Sequence, residues 1–98
     1  LAFRWNYRQG RRAEFIRLHG AELAVGRVEP SGERREWRFD AHWVRVAIDE
    51  ARGQLILSSH GRRLAIGGFL SPDERMELGR ALRAALAAHR ETPARDSG

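Results

Sequence analysis

The sequence predicts an α+β fold: an antiparallel β-sandwich or roll of about six to seven strands, closed by one C-terminal α-helix. Three observations predict this fold. Short runs such as residues 36–39 alternate polar with apolar side chains, which is typical of half-buried strands. Turns rich in proline and glycine separate these runs, as at residues 30–32. One long amphipathic segment with a helix-start signature then begins at Ser71.

Six strands fit between Glu14 and Gly67, because apolar or alternating runs recur there at short intervals. These runs are residues 15–18, 23–28, 36–39, 44–48, 55–57 and 64–66. The last two flank a tight hairpin at 59–62, where Gly61 can adopt the left-handed conformation that such a turn needs. We therefore expect a β-rich domain over residues 14–90.

The helix is the most clearly marked element. Ser71 and Glu74 have the spacing of a capping box, and Pro72 suits the first helical position. Apolar residues on one face follow at helical spacing, namely Leu78, Leu82, Ala85 and Leu86. These patterns predict a helix over residues 71–89, which would pack on the sheets, and a disordered polar tail over residues 91–98.

Composition excludes several classes of protein. The 98 residues make one domain, and the absence of cysteine removes disulfides, thiolate nucleophiles and cysteine-based zinc sites. No apolar run approaches the roughly 20 residues that span a bilayer, so we expect this chain itself to be soluble. The net charge is +5, and all 18 basic residues are arginine, which most simply reflects a genome biased toward arginine codons.

The residues that could carry chemistry do not form a recognisable set. No two of His19, His42, His60 and His89 have the i, i+4 helical spacing of a metal pair. Ser58 and Ser59 precede a hairpin, not the strand-to-helix turn that exposes a nucleophile. Asp40 and His42 are close in a turn, where local hydrogen bonding is the usual role, and Asp49-Glu50 is an acid pair in a loop, where a solvated turn is favoured over general acid–base chemistry. We therefore expect no catalytic residue, no metal, no cofactor and no small-molecule substrate.

Nucleic-acid binding must also be weighed, because the chain is basic and contains three tryptophans. Trp37, Phe39 and Trp43 could in principle stack on bases. However, the closely spaced glycine and aromatic residues of the RNA-recognition signature are missing. Trp37 and Phe39 are two residues apart, which favours a place in the core of a sheet.

The opening of the chain differs from the rest. Residues 1–13 carry four arginines and no acid, with aromatic residues between them. The arginines are Arg4, Arg8, Arg11 and Arg12, and the aromatic residues are Phe3, Trp5 and Tyr7. This pattern predicts a basic arm, helical or extended, that ends near Gly10 and precedes the β-rich domain.

Several separated motifs resemble one bacterial protein family. They are W-V-R-V at 43–46, S-H-G-R at 59–62, I-G-G-F-L at 66–70 and E-R at 74–75. In this order they resemble family DUF2244, a bacterial family of unknown function described as integral membrane proteins. The resemblance implies two transmembrane helices before Leu1 and a cytosolic domain on the inner membrane. The arm would then be juxtamembrane, where arginines favour the cytoplasmic side.

The order of elements also resembles the bacterial pleckstrin-homology-like domains, in which a C-terminal helix plugs one end of a bent β-sandwich. A generic antiparallel sheet with a helix across one face is the alternative.

Two functions follow from these expectations. The first is a non-catalytic interaction or scaffolding domain of a small bacterial inner-membrane protein, which binds a protein partner or a second copy. The second is a peripheral binder of anionic lipid headgroups. In either case the expected contact residues are Arg4, Trp5, Tyr7, Arg8, Arg11, Arg12, Arg62 and Arg63. Nucleic-acid binding and an unrecognised enzyme rank below both.

Overall fold

The computed structural model describes residues 3–91, which form seven strands and one helix. The strands are β1 (Phe3–Gln9), β2 (Arg12–His19), β3 (Glu22–Val28), β4 (Arg34–Asp40), β5 (Arg45–Asp49), β6 (Gln54–Ser59) and β7 (Arg62–Ile66). The helix α1 spans Pro72–Glu91. The predicted α+β class is therefore confirmed, with the helix two residues longer than expected at its C-terminal end. Of the tail predicted at 91–98, Glu91 ends the helix and the rest lies outside the described residues.

The strands form two antiparallel sheets. One has the order β1-β2-β3-β4 and the other the order β5-β6-β7. Every connection within a sheet is a hairpin between neighbouring strands. In the last of these, His60 and Gly61 have φ values of 52° and 81°. Two successive positive values are typical of the two-residue turn that the sequence predicted there.

The opening segment is a strand, not an arm outside the domain. Strand β1 pairs along its whole length with β2, from Phe3 opposite Leu18 to Gln9 opposite Arg12. The domain therefore does not begin at residue 14. The physical reason is alternation: Phe3, Trp5 and Tyr7 are half-buried and pack on the core, while the side chains between them are exposed. The glycine at position 10 makes the turn to β2, with φ at 59°.

The core lies between the two sheets and under the helix. Its fully buried members come from both sheets and from α1, and include Ile16, Leu18, Leu23, Val25, Leu55, Leu57, Leu78, Leu82 and Leu86. The predicted helix stripe therefore packs as expected. Gly79 allows the close approach, because a Cβ there would lie 3.2 Å from Leu55 Cδ2.

The helix begins with the predicted capping box. The Ser71 N–H donates to Glu74 Oε1 at 2.8 Å, and the Glu74 N–H donates to Ser71 Oγ at 3.2 Å. Farther along, helix arginines donate to backbone carbonyls of or beside β5, which is an edge strand. Arg83 donates to Val46 O at 2.9 Å, and Arg90 donates to Val44 O. These contacts cover hydrogen-bonding groups that a free sheet edge would expose.

Candidate functional site

The sandwich has two ends with different chemistry. The first, which we call the Glu14 end, contains the turns after β1, β3 and β5 and the start of the helix. The second, which we call the Trp43 end, contains the start of β1, the loop 41–44, the turn at 60–61 and the end of the helix. The helix joins them, since Arg75 donates to Leu70 O at 2.7 Å at one end and Arg90 to His42 O at 2.9 Å at the other.

A buried carboxylate organises the Glu14 end. Glu14 lies on the inner face of β2 and is only 3% exposed. Arg27, on the neighbouring strand, donates through Nε to Glu14 Oε2 at 2.5 Å, and the Gly67 N–H donates to Oε1 at 3.0 Å. The Tyr7 hydroxyl also donates to Oε1. Both carboxylate oxygens therefore have partners, which a charge at this depth requires.

The same network joins the two sheets. Arg27 lies on β3 and donates through Nη2 to Ala65 O of β7 at 2.6 Å. Its guanidinium group also lies 5.0 Å from the centre of the Trp37 ring. Burial and the adjacent Glu14 carboxylate raise the pKa of Tyr7 well above its ordinary value. The network holds a proton on Tyr7 and a charge pair inside the domain, which is a structural role.

A cavity of about 360 Å³ opens beside this network. Two arginines and two glutamates line it, namely Arg12, Arg27, Glu14 and Glu29. Because Glu14 and Arg27 already neutralise each other, the wall carries no net excess of either charge. The cavity therefore has no chemistry that favours an anion over a cation.

An exposed tryptophan dominates the Trp43 end. The Trp43 side chain is 57% exposed, although its neighbours Ala41 and Val44 are fully buried. The loop is fixed around Asp40, whose backbone oxygen accepts the N–H groups of Trp43 and Val44 at 3.1 and 3.0 Å. The Asp40 carboxylate accepts the His42 N–H at 2.9 Å, as the sequence predicted for local hydrogen bonding. A tight turn thus presents the indole ring to solvent.

Two histidine rings lie against the indole ring, and two arginines lie at the same end of the sandwich. The His42 ring centre lies 4.7 Å from that of Trp43, and the His60 ring centre lies 6.3 Å from it. Arg62 stacks on the Phe39 ring at 4.7 Å, at the mouth between the sheets, and Arg90 binds the His42 carbonyl. The Trp43 end is therefore an aromatic tip with a polar rim, which contains arginine and histidine side chains and the Asp40 carboxylate.

Five arginines lie on the outer face of the four-stranded sheet, which also carries the acids Glu22, Glu36 and Asp40 on β3 and β4. Register places Arg4 directly opposite Arg17, and Arg38 lies in the same row on β4. Arg8 and Arg34 share another row nearer the Glu14 end. We call these five residues the basic face. At its centre the Phe15 ring covers Gly26, where a Cβ would overlap the ring.

The predicted contact residues do not form one surface. Arg4 and Arg8 lie on the basic face, whereas Trp5 and Tyr7 point into the domain. Arg11 lies in the turn after β1, and Arg12 lines the cavity at the Glu14 end. Arg62 and Arg63 begin β7, at the Trp43 end. Sequence reasoning missed Arg17, and the signal was present, since Arg17 falls between the apolar residues Ile16 and Leu18.

Other polar groups in turns have local roles. The Asp49 carboxylate accepts the Arg52 N–H at 3.2 Å, and this hydrogen bond holds the pKa of Asp49 below its ordinary value. Across residues 3–91, no cluster of three or more histidine, aspartate or glutamate residues has the geometry to hold a metal ion. Over the same residues, no helix is long and apolar enough to cross a membrane.

Comparison with known proteins gives one match. Residues 1–86 match the protein family described as "Integral membrane protein (DUF2244)". No curated protein and no solved structure matches the chain, so the pleckstrin-homology-like resemblance stays a prediction. The match covers most of the 98 residues and includes every strand and most of the helix. The chain therefore belongs to the DUF2244 family of integral membrane proteins.

Proposed function

We propose that this chain is a non-catalytic domain that binds anionic lipid headgroups at the cytoplasmic face of a bacterial inner membrane. The basic face of the four-stranded sheet makes the contact. The observation that carries the proposal is the register of Arg4 directly opposite Arg17 on an exposed sheet surface. Binding at the membrane also fits a family of integral membrane proteins.

The charges on this face lack compensation where β1 meets β2. Like charges directly opposite each other in a sheet are destabilising. Within the described part of the chain, only Arg38 of the basic face lies within ion-pair distance of an acid, at 3.8 Å from Glu22 and 3.5 Å from Glu36. An external anion against Arg4 and Arg17 would relieve their repulsion.

The shape of the face suits an extended anionic surface better than a small ligand. The sheet is open to solvent on this side, and Arg4, Arg8 and Arg17 are all exposed. Phe15 is 36% exposed between their rows and offers an apolar contact. Arginines near an anionic membrane contribute about 1 kcal/mol each, and arginine-rich flanks favour the cytoplasmic side.

A protein partner or a second copy of the chain is the competing occupant. The edge strand β4 is rich in charge, which disfavours pairing with another strand. The exposed charge on the basic face is also one-sided near β1 and β2, whereas protein interfaces lose charged residues at their centres. These features favour lipid headgroups over a protein scaffold.

The test is co-sedimentation of the 98-residue chain with lipid vesicles. We expect binding to vesicles that contain phosphatidylglycerol, weaker binding as salt rises, and none to phosphatidylcholine alone. The double variant Arg4→Gln/Arg17→Gln should partition about 30-fold less, because two contributions of about 1 kcal/mol are lost.

The matched control is Arg52→Gln/Arg80→Gln, which removes the same charge from exposed positions outside the four-stranded sheet. This control should bind nearly as well as the unaltered chain. Equal losses in both variants would show that net charge alone drives binding, and absence of binding to anionic vesicles would refute the proposal. If instead a purified protein partner bound the chain, and this binding required Arg4 and Arg17, the scaffolding function would be favoured.

A further inference from the structure

The Trp43 end has a feature that the basic face does not explain. A large aromatic side chain is 57% exposed on a loop in which Ala41 and Val44 are fully buried. Three backbone or side-chain hydrogen bonds to Asp40 fix that loop. These contacts hold the backbone of the turn in the conformation in which the ring is exposed.

The surroundings of the ring suit the interfacial layer of a membrane. Tryptophan is enriched at that layer, since its ring is mostly apolar but carries one N–H donor. The edges of His42 and His60 stand against the ring, and Arg62 and Arg90 lie at the same end of the sandwich. Long basic side chains can keep their charge among headgroups while an adjacent ring enters deeper.

The position of the ring relative to the basic face is also favourable. The row that contains Arg4, Arg17 and Arg38 is one residue from the row of Phe3, Leu18 and Phe39, and the row of His19, Glu22 and Asp40 ends the sheet beyond it at the Trp43 end. Arg62 stacks on that same Phe39 ring. One tilted membrane plane could therefore contact both the arginine row and the tryptophan tip.

We infer that Trp43 inserts into the interfacial layer of an anionic bilayer, with Arg62, His42 and His60 as its headgroup-facing rim. This inference rests on the proposed function, because the basic face brings the domain to the membrane. It adds the orientation: the Trp43 end faces the bilayer and the Glu14 end faces away. In this arrangement the basic side chains select anionic lipids. Insertion of the Trp43 ring sets how deeply the domain enters the bilayer.

The test is quenching of tryptophan fluorescence by brominated lipid. Vesicles of phosphatidylglycerol with brominated phosphatidylcholine are added to the unaltered chain and to Trp43→Phe. We expect quenching in the unaltered chain and loss of most of it in the variant. Trp5 and Trp37 provide the internal reference, because both are half-buried on the inner face of their sheet.

A partition measurement with Trp43→Ala separates insertion from simple proximity. The variant should bind anionic vesicles about tenfold less, since the apolar contact is lost. Met76→Ala is the matched control, because Met76 is also a large exposed apolar residue, at 48%, but lies near the start of the helix. It should bind as the unaltered chain does, and thermal melts should show both variants folded.

The outcomes distinguish this inference from the proposed function. If the chain binds anionic vesicles but Trp43 is not quenched and Trp43→Ala binds normally, the inference fails and the proposed function stands. If the chain binds no anionic vesicle at all, the proposed function fails and this inference with it. A concentration-dependent change in Trp43 fluorescence without lipid would assign the ring to contact with a second copy and overturn insertion.

Discussion

The two ends of the sandwich differ in which kind of side chain is buried and which is exposed. At the Glu14 end a carboxylate is almost fully buried, with a hydrogen-bond partner for each oxygen. At the Trp43 end one of the largest apolar side chains is mostly exposed, although Ala41 and Val44 in the same loop are fully buried. Each end therefore contains an exception to the usual rule that charged side chains are exposed and large apolar side chains are buried.

From this difference we expect the Glu14 end to support folding, and we propose that the Trp43 end binds lipid. The Glu14 network uses its hydrogen bonds internally and ties β1, β2, β3 and β7 together. The Trp43 ring lies against the rings of His42 and His60, and more than half of the side chain is exposed. Changes at the Glu14 end should therefore affect folding, and changes at the Trp43 end should affect binding.

The largest expected effect is at Glu14. Glu14→Ala leaves Arg27 without its counter-charge and removes the acceptor of the Tyr7 hydroxyl and the Gly67 N–H. We expect the free energy of unfolding to fall by about 4 kcal/mol. Denaturant-induced unfolding measures this free energy. Glu36→Ala is the control, because Glu36 is exposed on the same sheet. A loss below about 1 kcal/mol would mean that the network contributes little.

The variant Leu82→Ala gives a reference value for the loss of unfolding free energy in the apolar core, which is common to both ends. Leu82 is fully buried in α1, and we expect a loss of about 2–4 kcal/mol in the free energy of unfolding. The helix residue Ala84, which is exposed, offers Ala84→Ser as the control. A negligible change at Leu82 would place the helix outside the core and contradict the packing described above.

Tyr7 should give a smaller, pH-dependent effect. Because its pKa is raised in the folded state, unfolding releases a proton at high pH. Stability should be unaffected below about pH 10, where the unfolded side chain is also protonated, and should fall as pH rises above that value. Tyr7 is the only tyrosine, so phenolate absorbance reports it directly. Ordinary ionisation near pH 10 in the folded chain would contradict the buried network.

The smallest effect on stability is expected at Trp43. Trp43→Ala should change the free energy of unfolding by less than about 0.5 kcal/mol, because the ring makes mainly surface contacts. Denaturant unfolding of this variant beside Glu14→Ala compares the two ends directly. A large loss at Trp43 would show that the ring supports the loop, and the contrast between the ends would disappear.

Local signals made part of this structure predictable. The capping box at Ser71, the turn at Gly61 and the leucine stripe of the helix each act within a few residues, so the sequence alone contains them. Strand β1 was harder to predict. Its aromatic residues alternate with arginines as a strand requires, but the basic charge favoured an arm, and only pairing with β2 gives the aromatic residues a core to enter.

The functional surfaces depend on contacts between distant parts of the chain. Nothing near Glu14 in the sequence identifies it as buried, because its partners Arg27 and Gly67 are 13 and 53 residues away. Arg4 and Arg17 are opposite each other only through the register of β1 and β2. The exposure of Trp43 likewise depends on Ala41 and Val44, which are buried in the core. Sequence reasoning therefore found Arg4 and Arg8 but not the surface that they form with Arg17, Arg34 and Arg38.

The orientation of the domain on a bilayer tests the central claim most directly. Amide and indole NMR signals of the chain would be recorded on anionic nanodiscs that contain a paramagnetic lipid. We predict strong broadening of the Trp43 indole signal and the Gly61 amide, weaker broadening at Arg17, and none at Gly67. Broadening centred on Gly67, or equal broadening at both ends, would contradict the account.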